Sequence, residues 1–297
     1  MNGEAVARQP VTATSVMAWE LRRLVADRNS LWLLGGLGVF FAAVVVFKHE
    51  WLLPVNDASH QYIPIEGTTA FGEIYVINSV LLVFFGLLVP FLTADAVARD
   101  RARRVHELLM TSGVSREAYV WGRFAAALIA VLITAVVIAV ASQLALLAMH
   151  VTEANVPEPN LGAFVAGWLL LIVPAAIVMG SISFSLGTLW PRFATAVKVA
   201  VVLAWIGLSF VVDIGHNLGW TWFEYWNPSS TGMVLELWPG IVARYVASGA
   251  TAASALSAQQ QLPSLSAWVV PHVGISLIAL VLVALAAARF GRFQREL

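Results

Sequence analysis

The sequence contains no cysteine among its 297 residues, and few of its residues are charged. The absence of cysteine excludes disulfide bonds, thiolate metal sites and thiol catalysis. Asp, Glu, Lys and Arg make up 11% of the chain, whereas about 25% is usual in soluble domains. Hydrophobic residues make up 60%, which is well above the soluble average of about 45–50%. The composition therefore indicates a polytopic membrane protein.

Several motifs that carry chemistry are also missing. No Gly is followed by Lys, so the chain lacks the G-x-x-x-x-G-K-[ST] loop that binds nucleotide phosphates. The sequence has no H-E-x-x-H zinc motif and no G-x-S-x-G nucleophile elbow, and its six histidines show no metal-ligand spacing. An intramembrane hydrolase would need paired catalytic residues within the spans, and Asp213 stands alone. We therefore predict no catalytic site, metal or cofactor in this chain, and no nucleic-acid partner.

Six apolar segments are long enough to cross a bilayer, because a spanning helix needs about 20 mostly apolar residues. The predicted spans are Leu31–Phe47, Ile74–Thr93, Phe124–Met149, Ala163–Leu189, Ala194–Val212 and Trp268–Ala288. A tight turn at residues 190–193 separates the fourth span from the fifth, because Pro191 cannot continue a helix interior. The sequence therefore predicts an all-α membrane protein with six transmembrane helices, built as a single transmembrane domain over residues 1–297.

The distribution of Lys and Arg orients these spans. With six spans, fifteen of the seventeen basic residues fall on the side that holds both termini, and only Lys48 and Arg244 fall on the other side. Short cytoplasmic loops carry such an excess of Lys and Arg. The pattern therefore predicts a multi-pass protein of the cell membrane with both termini in the cytoplasm.

The polar segments outside the spans differ in character. Residues 1–30 are predicted to be a cytoplasmic segment that contains an amphipathic helix at 14–29, lying in the membrane interface. Its predicted apolar face comprises Met17, Ala18, Leu21, Leu24 and Val25, and its polar face comprises Glu20, Arg22, Arg23 and Asp27. An ordinary soluble helix packed on a partner is the alternative. On the outer side, residues 48–73 are predicted to be irregular. The outer loop 213–267 is predicted to hold short interfacial or re-entrant helices before the sixth span, followed by a loose linker at 250–266.

The cytoplasmic segment 94–123, between the second and third spans, carries an unusual pattern. Residues 95–112 are helical by their periodicity, and Gly113 is well placed to end this helix in the left-handed conformation. Ser115 is predicted to cap the next helix. A solvated basic loop would explain the arginines of this segment. It would not explain the apolar stripe of Val105, Leu108 and Leu109 outside the membrane. Such a stripe requires a partner surface, either the chain's own helices or a separate subunit.

Polar residues within the predicted spans are few. Asn78 and Gln143 are candidates for a substrate pathway or a dimer interface, although simple helix packing also accounts for them. Ionisable residues are nearly absent from the spans, which argues against a carrier with an intramembrane acid relay. Lys198 is expected to extend to the interface. Small residues such as Gly180, Ser183 and Gly187 are expected to allow close helix packing.

A family resemblance is carried by about 30 residues that read D-x-x-A-R-D-R-x-R-x-x-x-E-L-L-M-T-S-G-V-S-R-x-x-Y-V-x-G-R. This segment, with the order of spans and loops around it, resembles the membrane subunit of ABC-2 type transporters. The positions that match the pattern of that family are Glu107, Leu108, Leu109, Thr111, Ser112, Ser115, Arg116, Gly122 and Arg123. The sequence departs from the family at Arg103-Arg104-Val105, where many members have Gly-Thr.

The resemblance implies that segment 94–123 contains a coupling helix, which docks on a separate ATP-binding subunit. The docking surface would comprise an apolar ridge of Val105, Leu108, Leu109 and Met110 with a rim of Arg103, Arg104, Glu107 and Arg116. Two such membrane subunits, identical or related, would join two ATP-binding subunits that hold ATP and Mg. The substrate would be amphiphilic, lipid-like or drug-like, and it would be exported.

A membrane anchor or signalling subunit that recruits cytoplasmic partners without transporting anything is the alternative function. It would use the same basic helix but would need no pathway through the membrane. A gene for an ATP-binding-cassette protein next to this one would favour the permease.

Overall fold

The computed structural model describes residues 11–48, 50–56, 59–102, 113–229 and 231–290. Within these ranges the chain is mostly helical and contains one two-stranded antiparallel sheet. The helices agree with the predicted all-α membrane protein, and the sheet lies in a segment for which the sequence predicted no regular structure.

The helices and strands follow one another in this order. The first half of the chain contains α1 (Ala13–Ala26), α2 (Arg28–Phe47), β1 (Glu50–Asn56), β2 (Ser59–Glu66), α3 (Ala70–Val76), α4 (Val83–Thr93), α5 (Asp95–Ala102) and α6 (Arg116–Thr152). The second half contains α7 (Leu161–Gly167), α8 (Val173–Leu189), α9 (Ala194–Asn217), α10 (Thr221–Trp226), α11 (Thr231–Ala247), α12 (Ala252–Gln260) and α13 (Ser266–Arg289). Sections of π-helix at Ile77–Leu82 and Trp168–Ile172 join α3 to α4 and α7 to α8.

Five helices in the described part of the chain are long and apolar enough to cross a membrane. They are Arg28–Phe47, Arg116–Thr152, Leu161–Leu189, Pro191–Asn217 and Ser266–Arg289. They contain five of the six predicted spans. The second predicted span lies in the run of α3, π-helix and α4 from Ala70 to Thr93, which is helical throughout. The predicted turn between the fourth and fifth spans is a short 3-10 helix, Pro191–Phe193.

The predictions for two segments between the spans were wrong. Residues 48–73 were expected to be irregular, but Glu50–Asn56 and Ser59–Glu66 pair as an antiparallel hairpin. Pro54 and Pro64 fit this hairpin because a two-stranded sheet consists only of edge strands, where proline is tolerated. Residues 250–266 were expected to be a loose linker, but they contain α12. That helix starts with a capping box in which Thr251 and Ser254 exchange hydrogen bonds between side chain and backbone.

The helices bury one large apolar core, in which α13 packs on α8 and α2 packs on α6. Phe41, Phe71, Ile74, Leu171 and Trp205 are among its buried members. A second, smaller core lies where α1 meets the start of α6, and it includes Val16, Val120 and Phe290. We call the end of the molecule with this second core the basic end, because the start of α6, with Arg116 and Arg123, lies there. The end with the hairpin is called the opposite end.

At the opposite end, Gln259 of α12 joins the hairpin to the helices. Its side chain is fully buried, and its carbonyl oxygen accepts hydrogen bonds from the N–H of Glu66 and the hydroxyl of Thr69, both at 3.1 Å. Its amide nitrogen donates to the carbonyls of Pro64 (2.8 Å) and Ala255 (3.0 Å). One side chain therefore links β2, the start of α3 and α12.

We expect Gln259→Leu to loosen the opposite end, because the new side chain fills similar space without forming these hydrogen bonds. The Glu66 N–H and the Pro64 carbonyl each lose their hydrogen bond to this side chain, and each such loss costs about 1 kcal/mol. Limited proteolysis should cut the segment 248–266 faster in the variant. The neighbouring exposed Gln261 provides the control, since Gln261→Ala should leave the cleavage rate unchanged. Equal cleavage rates in the two variants would contradict this account of Gln259.

Candidate functional site

The predicted coupling segment is described by the structure at its two ends. α5 forms its beginning, and the chain from Gly113 into α6 forms its end. Arg103, Arg104, Val105, Glu107, Leu108, Leu109 and Met110 lie outside the described residues. Arg116, the remaining member of the predicted docking set, is exposed in the first turn of α6. The described residues therefore show how the two ends of this segment are attached to the helix bundle.

Arg123 of α6 is the centre of a buried ionic cluster at the basic end. Its side chain is only 3% exposed, and its guanidinium forms salt bridges with Glu20 of α1 and Asp100 of α5. The hydroxyl of Tyr119, one turn earlier on α6, donates a 2.5 Å hydrogen bond to Asp100. One arginine thus holds carboxylates from two helices that are 80 residues apart in sequence.

Aromatic rings surround this guanidinium. The ring of Trp19 lies 5.5 Å from the guanidinium carbon of Arg123, and the ring of Tyr119 lies 5.6 Å from it. Both distances are within the range of cation–π attraction, which is about 6 Å. Tyr119 also packs on Phe290, just after α13. The cluster therefore connects α1, α5 and α6 and contacts Phe290 at the end of α13.

The local sequence explains how α1 reaches the cluster. Val16 and Glu20 are four residues apart, so they lie on the same face of α1. That face packs on α6 at Gly122, where an added Cβ would lie 2.7 Å from the carbonyl oxygen of Ala13 and 2.6 Å from Cβ of Val16. Glycine therefore permits the close approach, and the next residue, Arg123, meets Glu20.

This packed face differs from the one that the sequence predicted. The predicted apolar face of α1 included Val25, which is 65% exposed, and Glu20 was assigned to the polar face. Sequence reasoning treated Arg123 only as a marker of sidedness and as part of a family pattern. The available signal was the adjacent Gly122-Arg123 pair together with a carboxylate one helical turn after Val16.

A second ion pair holds the beginning of α5. Lys198 of α9 reaches Asp95 at 2.5 Å, and its ammonium lies 5.6 Å from the ring centre of Phe91. Lys198 was expected to extend to the membrane interface, but within the structure it pairs with a carboxylate of the predicted coupling segment. Asp95 and Asp100 therefore fix the two ends of α5 to different helices of the bundle.

Small residues bring the same region close to α8. A Cβ at Gly187 would overlap the carbonyl oxygen of Ala94, so only glycine allows this contact. One turn earlier, the hydroxyls of Ser183 and Thr93 are hydrogen-bonded at 2.6 Å. The residues just before α5 are thus packed directly against α8, as expected for Ser183 and Gly187.

The end of the segment agrees with its predicted local structure. Gly113 has a positive φ of 85°, the left-handed conformation that glycine adopts readily. The hydroxyl of Ser115 accepts a 3.1 Å hydrogen bond from the N–H of Ala118 and so caps α6. These two residues set the direction in which the chain enters α6.

The two candidate pathway residues have separate partners. Asn78, in the first π-helical section, donates to the carbonyl of Ser229 at 3.2 Å. Gln143 of α6 donates to the carboxylate of Glu73 at 2.9 Å. Glu73 is 1% exposed. Sequence reasoning missed this buried carboxylate because it placed residue 73 in the outer loop. Asn78 therefore joins the run from Ala70 to Thr93 to the chain before α11, whereas Gln143 joins α6 to the same run.

These features define a multi-pass helical membrane protein whose 94–123 segment is attached to the bundle by a buried and a partly buried ion pair. A family model described as an ABC-2 family transporter protein matches residues 52–289. The chain belongs to this family, whose members are membrane components of ABC transporters and do not hydrolyse ATP themselves. A comparison with curated proteins gave no match.

Proposed function

We propose that this chain is the membrane-spanning permease subunit of an ATP-driven exporter of amphiphilic, lipid-like or drug-like substrates. ATP and Mg bind to a separate subunit, and two permease chains, identical or related, form the pathway. The run from Ala70 to Thr93 acts as the second of six spans, and both termini lie in the cytoplasm of a cell whose plasma membrane holds the complex.

The ionic attachment of α5 is the observation that carries this proposal. Arg123 and Lys198 pair with Asp100 and Asp95 near the two ends of α5. A helix held at both ends moves with the elements that hold it. A displacement of residues 103–112 by a partner is therefore transmitted to α6 and α9.

The same attachment extends to the N-terminal helix. Glu20 joins α1 to Arg123, so α1 and α5 share one buried cation. A passive anchor needs only a surface for its partner. Ionic connections to two helices that are long and apolar enough to cross the membrane, α6 through Arg123 and α9 through Lys198, are suited to a subunit that transmits motion.

The docking surface itself is proposed from the sequence. Val105, Leu108, Leu109 and Met110 would be buried against the ATP-binding subunit, with charged residues at the edge to fix orientation. In this arrangement the apolar ridge supplies affinity, and Glu107 with its neighbouring arginines sets the register.

The coupling assignment predicts that Leu108→Asp or Glu107→Arg prevents productive docking. A carboxylate at position 108 would be buried without a partner, and a reversed charge at 107 would meet the wrong surface. The chain is co-expressed with its ATP-binding subunit, and complex recovery and ATP turnover are measured in membranes. We expect both quantities to fall at least about tenfold, which corresponds to about 1.4 kcal/mol.

Leu108→Met provides the matched control, because it keeps an apolar side chain of similar volume. It should retain complex assembly and ATP turnover. Unchanged assembly and turnover in both Leu108→Asp and Glu107→Arg would contradict the coupling role of this segment. Assembly with the ATP-binding subunit but no ATP-dependent substrate movement in the unaltered complex would instead favour a non-transporting anchor.

A further inference from the structure

An apolar groove of about 370 Å³ runs along α6 and the start of α7. Its walls include Val140, Leu144 and Leu147 from α6 and Leu161 and Val165 from α7. These five side chains are between 45% and 61% exposed, so the groove opens at the surface of the bundle. Its volume is near the lower end of the range for drug-sized ligands, about 300–1,000 Å³.

The length of α6 places the groove at the outer edge of the bilayer. Gln143 follows Arg123 by 20 residues, which corresponds to about 30 Å of helix and therefore to the thickness of the hydrocarbon layer. With Arg123 at the inner boundary, Gln143 lies at the outer one. A ligand in the groove would have its apolar part in the outer leaflet and its polar part at the headgroup level.

One buried acceptor atom beside the groove has no hydrogen-bond partner within the described residues. It is Oε1 of Gln143, a residue that lines the groove. A buried polar atom without a partner is costly. An amide oxygen only accepts, so a ligand that satisfies it must donate a hydrogen bond.

The charge of the residues that line the groove also favours a ligand that donates hydrogen bonds. Glu158 is its one charged lining residue in the part of the chain that the structure describes, and no Lys or Arg lines it. A carboxylate and an unpaired acceptor in the lining favour a cation that donates hydrogen bonds, and they disfavour an anion. An ammonium group offers three N–H donors and a positive charge.

We propose that this groove binds a single-chain amphiphile with a protonated primary amine, taken from the outer leaflet or released into it. The ammonium is held by Glu158 and Gln143, and the alkyl chain lies on the aliphatic walls. The proposal deepens the transport function by naming a substrate class, and it rests on that function for its physiological meaning. Binding itself requires no ATP-binding subunit.

The test measures binding to the full chain in phosphatidylcholine nanodiscs. Because the chain has no cysteine, Val151→Cys introduces a single labelling site that is 77% exposed, on α6 just beyond the groove. An environment-sensitive fluorophore at this position reports the titration. Dodecylamine should bind saturably, and dodecanoate, which has the same number of carbons and the opposite charge, should not.

Two variants test the groove separately. Glu158→Gln should raise the Kd for dodecylamine roughly fivefold, because it removes the charge at the boundary of a low-dielectric region. Leu144→Trp should abolish saturable binding by filling the groove. Glu153→Gln is the matched control: Glu153 is an exposed carboxylate of the same loop that does not line the groove, and its loss should leave the Kd unchanged.

Three results would overturn the proposal. Equal affinity for dodecylamine and dodecanoate would show partition onto an apolar surface without charge selection. Equal effects of Glu158→Gln and Glu153→Gln would show that the local charge, and not the site, attracts the amine. A Kd for dodecylamine that rises when phosphatidylethanolamine replaces phosphatidylcholine in the nanodiscs would show that a two-chain lipid occupies the groove. Each of these measurements omits the ATP-binding subunit, so none bears on the coupling assignment.

Discussion

Arg123→Ala is expected to stop ATP-driven transport and to destabilise the protein by about 3–5 kcal/mol, the usual cost of breaking a buried ion pair by removing one partner. The variant would leave the carboxylates of Glu20 and Asp100 buried next to each other with no cation between them. Their repulsion would separate α1 and α5 from α6. Thermal unfolding of the purified chain and substrate flux in proteoliposomes with the ATP-binding subunit measure the two effects.

Arg22→Ala is the matched control for this variant, because Arg22 is an exposed arginine of α1. It should change neither quantity. If Arg123→Ala and Arg22→Ala gave the same unfolding temperature, the buried cluster would contribute nothing to stability.

A neutral version of the cluster separates stability from transmission of motion. The triple change Glu20→Gln, Asp100→Asn and Arg123→Met removes all three charges together, which often restores or increases stability relative to a broken pair. We expect this variant to unfold near the temperature of the unaltered protein but to couple ATP hydrolysis to transport less efficiently. Full transport with this triple change would show that Arg123 only stabilises the fold and does not position α5.

Gly187→Ala is expected to disturb the junction between α5 and α8, although it adds a single methyl group. That methyl would overlap the carbonyl oxygen of Ala94, which belongs to the backbone and cannot rotate away. Overpacking of this kind costs about 1–3 kcal/mol. Because Ala94 precedes Asp95 directly, the displacement would reach the Asp95–Lys198 ion pair, and transport should fall together with stability.

Gly180→Ala is the matched control on the same helix. The nearest atoms to an added Cβ there, on Thr93, Leu128 and Val89, are 3.7–3.9 Å away, which is ordinary van der Waals contact. This variant should unfold at or above the temperature of the unaltered protein, since alanine favours a helix more than glycine does. A lower unfolding temperature for Gly180→Ala than for Gly187→Ala would contradict the packing described for α8.

The sequence predicts the apolar helices well because each of them satisfies a simple requirement of length and hydropathy. It does not predict the hairpin, since Pro54 and Pro64 suggest irregular structure unless both strands are known to be edge strands. It also does not predict α12, whose Ala and Ser residues show little apolar periodicity. The capping box formed by Thr251 and Ser254 was the available signal for that helix.

The ionic cluster lay beyond sequence reasoning for a different reason. The periodicity of α1 assigns Glu20 to a polar face, and the charge distribution assigns Arg123 to one side of the membrane. Neither pattern shows that α1 meets α6 at Gly122, so that Glu20 pairs with Arg123, 103 residues later in the sequence. Pairing between distant elements depends on tertiary packing. For the same reason, the partner of Gln143 was found only when α3 proved to begin before residue 73.

We propose that a separate ATP-binding subunit docks on the segment 94–123. A photo-crosslinking residue at position 108, in the complex with the co-expressed ATP-binding subunit, tests this claim most directly. Position 203, on the exposed side of α9, is the control. We predict a crosslink to the ATP-binding subunit from position 108 and none from position 203. An intact complex in which position 108 gives no crosslink, or in which both positions crosslink equally, would contradict the claim.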